Sequence, residues 1–271
     1  MAESQLRTAV IGAQPRGQSA AWRFPGVQGR EGWLFFLALL GLWQFLTTAV
    51  ELPNPGLFPT PRVTAVALWQ SLPELLQGTW ASLLIFLPGY GLAIVAGIGW
   101  GLLVGTSGWL SRAFNPFARV AAPIPPTVYI PYAIALLPSF FTAAIFVVFV
   151  GAFWPIFVNT AAGAAQTPQR HRDNARVLGI AYLPYLRRVV LPAALPQVFS
   201  GLGVGLVLSF IMLTVAELFG AHKGLGRFVQ YYADYADYPR MVAGILYTGL
   251  VAFSAMALLE KIKRRLFFWV R

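Results

Sequence analysis

Residues 140–160 read FFTAAIFVVFVGAFWPIFVNT, an apolar run without a single charged side chain. A helix that crosses the hydrocarbon core of a bilayer needs about 20 predominantly apolar residues. This run meets that length, and it lies inside a longer stretch, residues 120–169, that also carries no charge. The sequence therefore predicts a membrane-spanning helix over residues 140–160, with room for a second span just before it.

Five further runs are predicted to cross the membrane, which makes the chain an all-α, polytopic membrane protein. The composition agrees, because 58% of the 271 residues are hydrophobic and only 11% are charged. The third span carries several prolines, which remove backbone donors that lipid cannot replace. We therefore expect that span to be irregular, and either buried against protein or lining a water-filled path. The six predicted spans cover about residues 32–50, 79–105, 116–137, 140–160, 194–217 and 240–260.

The basic residues orient these spans, because lysine and arginine concentrate in cytoplasmic segments. With the amino terminus inside, sixteen of the twenty basic residues are cytoplasmic. Residues 1–31 are then a cytoplasmic segment, 32–260 the transmembrane domain with a cytoplasmic loop at 161–192, and 261–271 a basic cytoplasmic tail. This distribution explains the net charge of +11 better than nucleic-acid binding does. The four basic residues left outside are Arg62, Lys223, Arg227 and Arg240.

The cytoplasmic loop contains the segment TPQRHRDNARVLGIAYLPYLRRVVLP, residues 167–192, which predicts two short helices joined at a glycine. Thr167 is expected to cap the first helix, and Gly179 allows a left-handed conformation at its end. The second helix is expected to open at Pro184, and Pro192 to interrupt it at the membrane. Such a pair forms a rigid protrusion that can transmit a movement of a soluble partner protein to the membrane-spanning helices. The alternative is an interfacial helix whose arginines contact anionic lipid.

The spacing of this loop resembles the cytoplasmic "EAA" loop in permease subunits of binding-protein-dependent ABC importers. That pattern is Glu-Ala-Ala, three residues, Gly, nine residues, Ile, one residue and Leu-Pro. The chain keeps the spacing but has Asp for Glu, Asn for the first Ala and Val for Ile. PIPPTVYIPYAIAL, residues 123–136, resembles a span of the nitrate/sulfonate/taurine group of these permeases, and the resemblance extends over about residues 58–269.

The resemblance implies a type I ABC importer permease fold in the bacterial cytoplasmic membrane, working by alternating access. It implies as partners cytoplasmic ATPase subunits, a second permease copy or homologue, and an extracytoplasmic substrate-binding protein. It also implies that the transported solute is small and often anionic, such as a sulfonate, taurine, nitrate or bicarbonate. A vitamin precursor remains an alternative substrate. ATP and magnesium would bind the ATPase, and this chain would bind no cofactor. The residues that it assigns to ATPase coupling are Arg170, His171, Arg172, Asp173, Asn174, Ala175, Arg176, Leu178, Gly179, Leu191 and Pro192.

Two other classes of protein are alternatives to this interpretation. An ion-coupled secondary transporter would need ionisable groups near the bilayer midplane, and a membrane-embedded enzyme would need a catalytic constellation. The sequence shows neither. It also lacks a phosphate-cradling Gly-Lys-Ser/Thr loop and a histidine, cysteine and carboxylate cluster for a metal, so ATP hydrolysis is expected on another chain.

A few residues within the spans are candidates for the translocation path. Tyr129 and Tyr132 flank a proline in the third span, and packing is the equal alternative for both. Glu217 is the one acid within a span, and an ordinary hydrogen bond to a neighbouring helix or to a lysine is favoured over gating. Ser209 and Thr214 precede it in the same span. Three glycines there, Gly201, Gly203 and Gly205, predict close helix packing or a dimer contact.

Overall fold

The structure is a computed structural model that describes residues 30–49 and 55–266. All regular structure in these residues is helical, which confirms the predicted fold class. The chain divides into two compact units, Met1–Glu51 and Leu52–Arg271. In the first unit the described part is one helix, α1 (Arg30–Thr48). Most of the predicted amino-terminal segment and the last five residues of the predicted tail lie outside the described residues.

The described part of the second unit holds ten α-helices. A 3₁₀ turn at Pro126–Tyr129 precedes α5, and a π-helical turn at Leu186–Val190 joins α8 to α9. The helices are α2 (Pro61–Gln70), α3 (Leu72–Thr106), α4 (Gly108–Ala121), α5 (Ile130–Leu136), α6 (Phe140–Ala165), α7 (Gln169–Val177), α8 (Tyr182–Tyr185), α9 (Leu191–Gly220), α10 (Leu225–Asp234) and α11 (Tyr238–Leu266).

Helix length accounts for only part of the predicted span count. Four stretches among the described residues are long and apolar enough to cross a membrane, and two apolar helical segments, Gly32–Thr48 and Pro126–Leu136, are shorter. The first and third predicted spans correspond to these two shorter segments, so helix length alone does not confirm them as crossings. The four long stretches are Leu72–Thr106, Phe140–Ala165, Tyr182–Gly220 and Tyr238–Leu266.

Helices α3 and α6 run parallel, which fixes where the chain must turn back. Glycines of α3 face α6 at a constant offset along the two helices: a Cβ at Gly97 would lie 2.8 Å from Ile156, and one at Gly101 would lie 2.6 Å from Thr160. Because parallel neighbours start at the same end, the chain between them must return along the pair. Helix α6 has 26 residues, so at a rise of about 1.5 Å per residue it is roughly 35–40 Å long. The returning chain must cover that length, which is about the thickness of a bilayer.

Helices α4 and α5 make this return in two pieces. The ring of Phe114 in α4 lies 5.2 Å from Phe157 of α6, and Phe117 lies 6.1 Å from Trp154. Further along, α5 packs against the first turns of α6, where Ile130 clusters with Val147. The third predicted span is thus a broken return segment, irregular as its prolines indicate.

The bounds of this segment differ from the prediction. Helix α4 begins at Gly108, not at residue 116, because the Ser107 hydroxyl accepts a hydrogen bond from the Leu110 N–H at 3.4 Å and caps the helix. The helix ends at Ala121, just before Pro123 and Pro125. Proline disfavours a helical conformation in the residue before it, which accounts for the break between α4 and α5.

Helix α9 runs antiparallel to α3 and α6 and completes the core. The Tyr90 hydroxyl of α3 donates to the Leu202 carbonyl of α9 at 2.8 Å. A Cβ at Gly201 would lie 2.9 Å from Asn159 of α6, and one at Gly205 would lie 3.1 Å from Ile156. Two of the three predicted packing glycines therefore contact α6, while the Cβ position of Gly203 is open in this chain. Helix α11 covers the core with Val251, Ala252, Ala255, Met256 and Leu259.

Candidate coupling site

Helix α7 ends in a hydrogen-bonding pattern that strongly favours a glycine. The Ile180 N–H donates to the Ala175 carbonyl at 3.1 Å, and the Gly179 N–H donates to the Arg176 carbonyl at 3.0 Å. These are the two bonds of a Schellman motif, which places its glycine in the left-handed region. Gly179 has φ +60°, and apart from its chain neighbours no heavy atom of residues 30–49 and 55–266 lies within 4 Å of its Cβ position. Backbone conformation, and not lack of space, therefore selects glycine here.

The start of α7 differs from the prediction. The N-cap residue is Pro168, whose carbonyl accepts hydrogen bonds from the N–H groups of His171 and Arg172. The Thr167 hydroxyl is buried and makes no hydrogen bond within the described residues. The predicted cap by Thr167 is wrong, because the extended backbone of Pro168 places the helix start one residue later.

Arg172 ties α7 to the end of α6. Its Nε donates to the Thr167 carbonyl at 3.1 Å, and its Nη2 donates to the carbonyls of Ala164 and Ala165 at 3.3 and 2.6 Å. The last carbonyls of a helix lack intrahelical donors and carry partial negative charge, so a guanidinium stabilises them. Arg172 is therefore a positioning residue that points into the protein. Ala175 is likewise buried, at 4% exposure.

The outward surface of α7 is basic at its start and apolar at its end. Val177 is 87% exposed and Leu178 is 74% exposed. Asp173 accepts a hydrogen bond from Gln169 at 2.9 Å and lies 3.8 Å from Arg176, so its polar partners are local. We call Val177 and Leu178 the apolar tip. Val177 was not predicted to be part of the site, although it adjoins Leu178 in sequence. The predicted coupling residues exposed on this surface are Arg170, His171, Asp173, Asn174, Arg176, Leu178 and Gly179.

The second predicted helix does not stop at Pro192. It continues through the π-helical turn into α9, and the Leu191 N–H donates to the Leu186 carbonyl five residues before it. Pro192 lies in the first turn of α9, directly after the π-helical turn. Leu191 is partly buried there and Pro192 is exposed, and both residues belong to the first turn of α9 and not to the surface of α7. The predicted interruption is wrong.

The loop is attached to two other long helices as well. Leu186 and Val190 are buried in one cluster with Leu102 of α3 and Ala164 of α6. The hydroxyls of Tyr182 and Thr106 of α3 hydrogen-bond at 2.9 Å. A force applied to the apolar tip would therefore reach α3, α6 and α9 together.

The candidate path residues are spread over two parts of the fold. Tyr132 of α5 is 69% exposed, and Tyr129 at the preceding turn is partly buried. Ser209 of α9 is fully buried and donates to the Leu206 carbonyl at 2.9 Å. Thr214 donates to the Phe210 carbonyl at 2.9 Å. Both hydroxyls are thus satisfied within their own helix.

Glu217 joins three helices. Its Oε1 accepts a hydrogen bond from the Ser82 hydroxyl of α3 at 2.5 Å, and its Oε2 accepts one from the Gly226 N–H of α10 at 2.7 Å. Ser82 in turn accepts a hydrogen bond from the Leu225 N–H at 3.0 Å. Glu217 is 1% exposed, and a Cβ at Gly224 would fall on its carboxylate. The side chain therefore bonds neighbouring helices, as the favoured interpretation predicts, and it fixes the start of α10.

Replacing Glu217 with alanine should destabilise the protein more than replacing it with glutamine. Alanine removes the acceptor of the Ser82 O–H and of the Gly226 N–H, while Ser82 still accepts from Leu225, and each unsatisfied buried donor costs about 1–3 kcal/mol. Glutamine keeps a carbonyl acceptor for Gly226. Thermal unfolding of the purified variants in detergent would measure the difference. Equal melting temperatures for the two variants would contradict the role assigned to the carboxylate.

Comparison with known proteins gives consistent results. The model of a family described as "Binding-protein-dependent transport system inner membrane component" matches residues 89–268. The nitrate import permease protein NrtB of Leptolyngbya laminosa is 33% identical over 241 residues, covering 85% of each chain. The bicarbonate transport system permease protein CmpB of Synechococcus elongatus is 34% identical, covering 89% of this chain and 90% of the relative.

A relative and a solved structure extend the comparison. The taurine transport system permease protein TauC of Escherichia coli is 29% identical over 85% of this chain and 86% of its own. A chain from an inward-facing structure of the MetNI methionine ABC transporter has a TM-score of 0.60 at 19% identity. That match covers 73% of this chain and 98% of the other, and it supports the fold alone.

Proposed function

The chain belongs to the family of binding-protein-dependent transport system inner membrane components, and we propose that it carries a small anion inward as a permease of an ATP-driven importer. Membership follows from the family match over residues 89–268 and from relatives that share a third of their residues along most of the chain. The relatives named above are permeases for nitrate, bicarbonate and taurine. Each of these solutes carries a small oxyanion group, which supports an anionic substrate class.

The observation that carries the coupling part of this proposal is the exposed apolar tip on a loop anchored to three long helices. Exposed apolar side chains at a rigid, partly basic protrusion suit a groove on another protein. We place a cytoplasmic ATPase subunit there, with ATP and magnesium bound to that subunit. A second permease copy or homologue and an extracytoplasmic substrate-binding protein complete the proposed assembly. Closure of the ATPase subunits would move α3, α6 and α9 and alternate access to the path.

The chain provides its own test of orientation, because it has three lysines, Lys223, Lys261 and Lys263. The proposed topology in the bacterial cytoplasmic membrane puts both termini inside and only Lys223 outside. A membrane-impermeant acylating reagent applied to intact spheroplasts should therefore modify Lys223 and spare the other two, as measured by mass spectrometry. Permeabilised cells, in which all three should react, are the control. Labelling of Lys261 or Lys263 in intact spheroplasts would contradict the proposal.

Uptake by the reconstituted importer tests the function itself. Proteoliposomes that contain this chain, its ATPase and its binding protein should accumulate nitrate, bicarbonate or taurine only when ATP is supplied inside with the ATPase. Uptake that continues without ATP and collapses with an ion gradient would indicate an ion-coupled transporter instead. Exchange of the ATPase for a variant that cannot hydrolyse ATP is the matched control.

A further inference from the structure

A cleft opens where α3 begins and α9 ends. Its volume is about 330 Å³, and it is lined by Glu74 and Gln77 of α3, by His222 and Lys223 of the turn after α9, and by Arg227 of α10. Small-molecule sites start at about 300 Å³, so the cleft has room for a small solute. In the topology proposed above, this end of the bundle faces the outside of the cell.

Two positive charges in this cleft lack a carboxylate partner. The ion pairs found within residues 30–49 and 55–266 include neither Lys223 nor Arg227. The Arg227 guanidinium lies 5.9 Å from the ring centroid of Tyr231, which orients it without neutralising it. Arg240, another basic residue predicted to be outside, is in contrast 3.3 Å from the Asp237 carboxylate.

The single acid of the cleft has a partner of its own. Oε2 of Glu74 accepts a hydrogen bond from the Tyr232 hydroxyl at 2.9 Å. Burial, together with this bond, raises the pKa of Tyr232 above its usual range, so the hydroxyl remains a donor. Lys223 and Arg227 outweigh Glu74, so the cleft carries a net positive charge. A positively charged concavity raises the local concentration of anions.

The first two N–H groups of α10 are not available to such an anion, which favours binding by the cationic side chains. The Leu225 and Gly226 N–H groups at the start of α10 already donate to Ser82 and Glu217. The bottom of the cleft is closed, because Gly78 and Gly224 pack together there: a Cβ at Gly78 would lie 3.3 Å from the Gly224 backbone. The cleft is therefore an open concavity with cationic side chains on its wall, and it is not a continuous channel.

We propose that this cleft receives the transported anion on the outer face, with Lys223 and Arg227 binding its oxyanion group before the helices open. Membrane proteins generally place few basic residues outside, and two unpaired ones on one wall are explained by binding an anion there. The inference rests on the proposed function, which supplies both the orientation and the anionic substrate. An acidic segment of a partner protein is the competing occupant, and the small concave volume favours a solute.

Protection of Lys223 from acylation tests this assignment. The full-length chain in phosphatidylcholine nanodiscs is treated with an acylating reagent while nitrate replaces chloride at constant ionic strength. The rate at Lys223 should fall at least threefold and saturably with nitrate, because a bound anion occupies the amine. Lys261 and Lys263 of the same molecule are internal references and should not change. Arg227→Gln should abolish the protection, whereas Arg240→Gln should retain it.

Each other outcome overturns the assignment. Equal Lys223 rates in nitrate and chloride would show that the cleft does not hold the oxyanion, and protection that survives Arg227→Gln would show that Arg227 does not bind it. Protection that requires an anion-free binding protein would assign the cleft to protein docking. Uptake assays separate this failure from that of the proposed function. An importer that moves no anion refutes the function, whereas normal uptake by a Lys223→Gln, Arg227→Gln double variant refutes only the cleft.

Discussion

Replacing Gly101 with leucine should prevent α3 from packing against α6 and destabilise the protein by about 3 kcal/mol or more. A Cβ alone would lie 2.6 Å from the Thr160 side chain and 3.0 Å from the Phe157 carbonyl of α6. The Phe157 backbone and the β-branched Thr160 side chain cannot move aside within α6, so α3 and α6 would have to separate. The expected result is a strong loss of folded protein, measured as the fraction that remains monodisperse after heating in detergent.

Gly99 supplies the matched control for this substitution. It lies two residues earlier on the same helix, and among the described residues no heavy atom beyond its own stretch of helix lies within 4 Å of its Cβ position. Gly99→Leu should therefore fold and resist heating nearly as well as the unaltered protein. Similar melting for the two leucine variants would show that the contact between α3 and α6 is not as close as described.

Replacing Gly179 with valine should uncouple ATP hydrolysis from uptake while membrane insertion stays intact. Valine in the left-handed region costs about 1–3 kcal/mol, because its branched Cβ clashes with the backbone. The Schellman motif would open, and the apolar tip would lose its fixed position. We expect anion uptake by the reconstituted importer to fall at least tenfold while the ATPase still hydrolyses ATP.

Asparagine at the same position separates conformation from side-chain bulk. Asparagine tolerates the left-handed region, and the open space around Gly179 accommodates its side chain. Gly179→Asn should keep most of the uptake. Normal uptake by the valine variant, or equal losses in both variants, would refute the role of the glycine conformation at the end of α7.

The pattern of glycines shows where sequence analysis succeeds and where it stops. Gly179 was predicted from its place between two short helices, because the conformation of a helix end depends on nearby residues. Gly97 and Gly101 were not predicted to pack against α6, although their spacing of four residues is typical of close helix contacts. The spacing of the glycines identifies one face of the helix, but it does not identify which other helix packs against that face.

Arg172 and Glu217 show the same limit for polar groups. Arg172 was predicted to face a partner protein, yet its guanidinium binds the carbonyls at the end of α6. Glu217 and its donor Ser82 lie 135 residues apart in the chain. The direction of a long side chain depends on which acceptors come near it in space, and a single sequence does not contain that information.

The sequence by itself determined the helical class, the apolar runs, the charge asymmetry and the glycine hinge of the loop. These features depend on transfer free energies and on local backbone preferences, both of which short windows of sequence record. Only the tertiary structure decided that the proline-rich third span is a broken return along α3 and α6, that the loop continues unbroken into α9, and that Glu217 holds α3, α9 and α10 together. Such features arise from contacts between distant residues, whose energies depend on how whole helices pack.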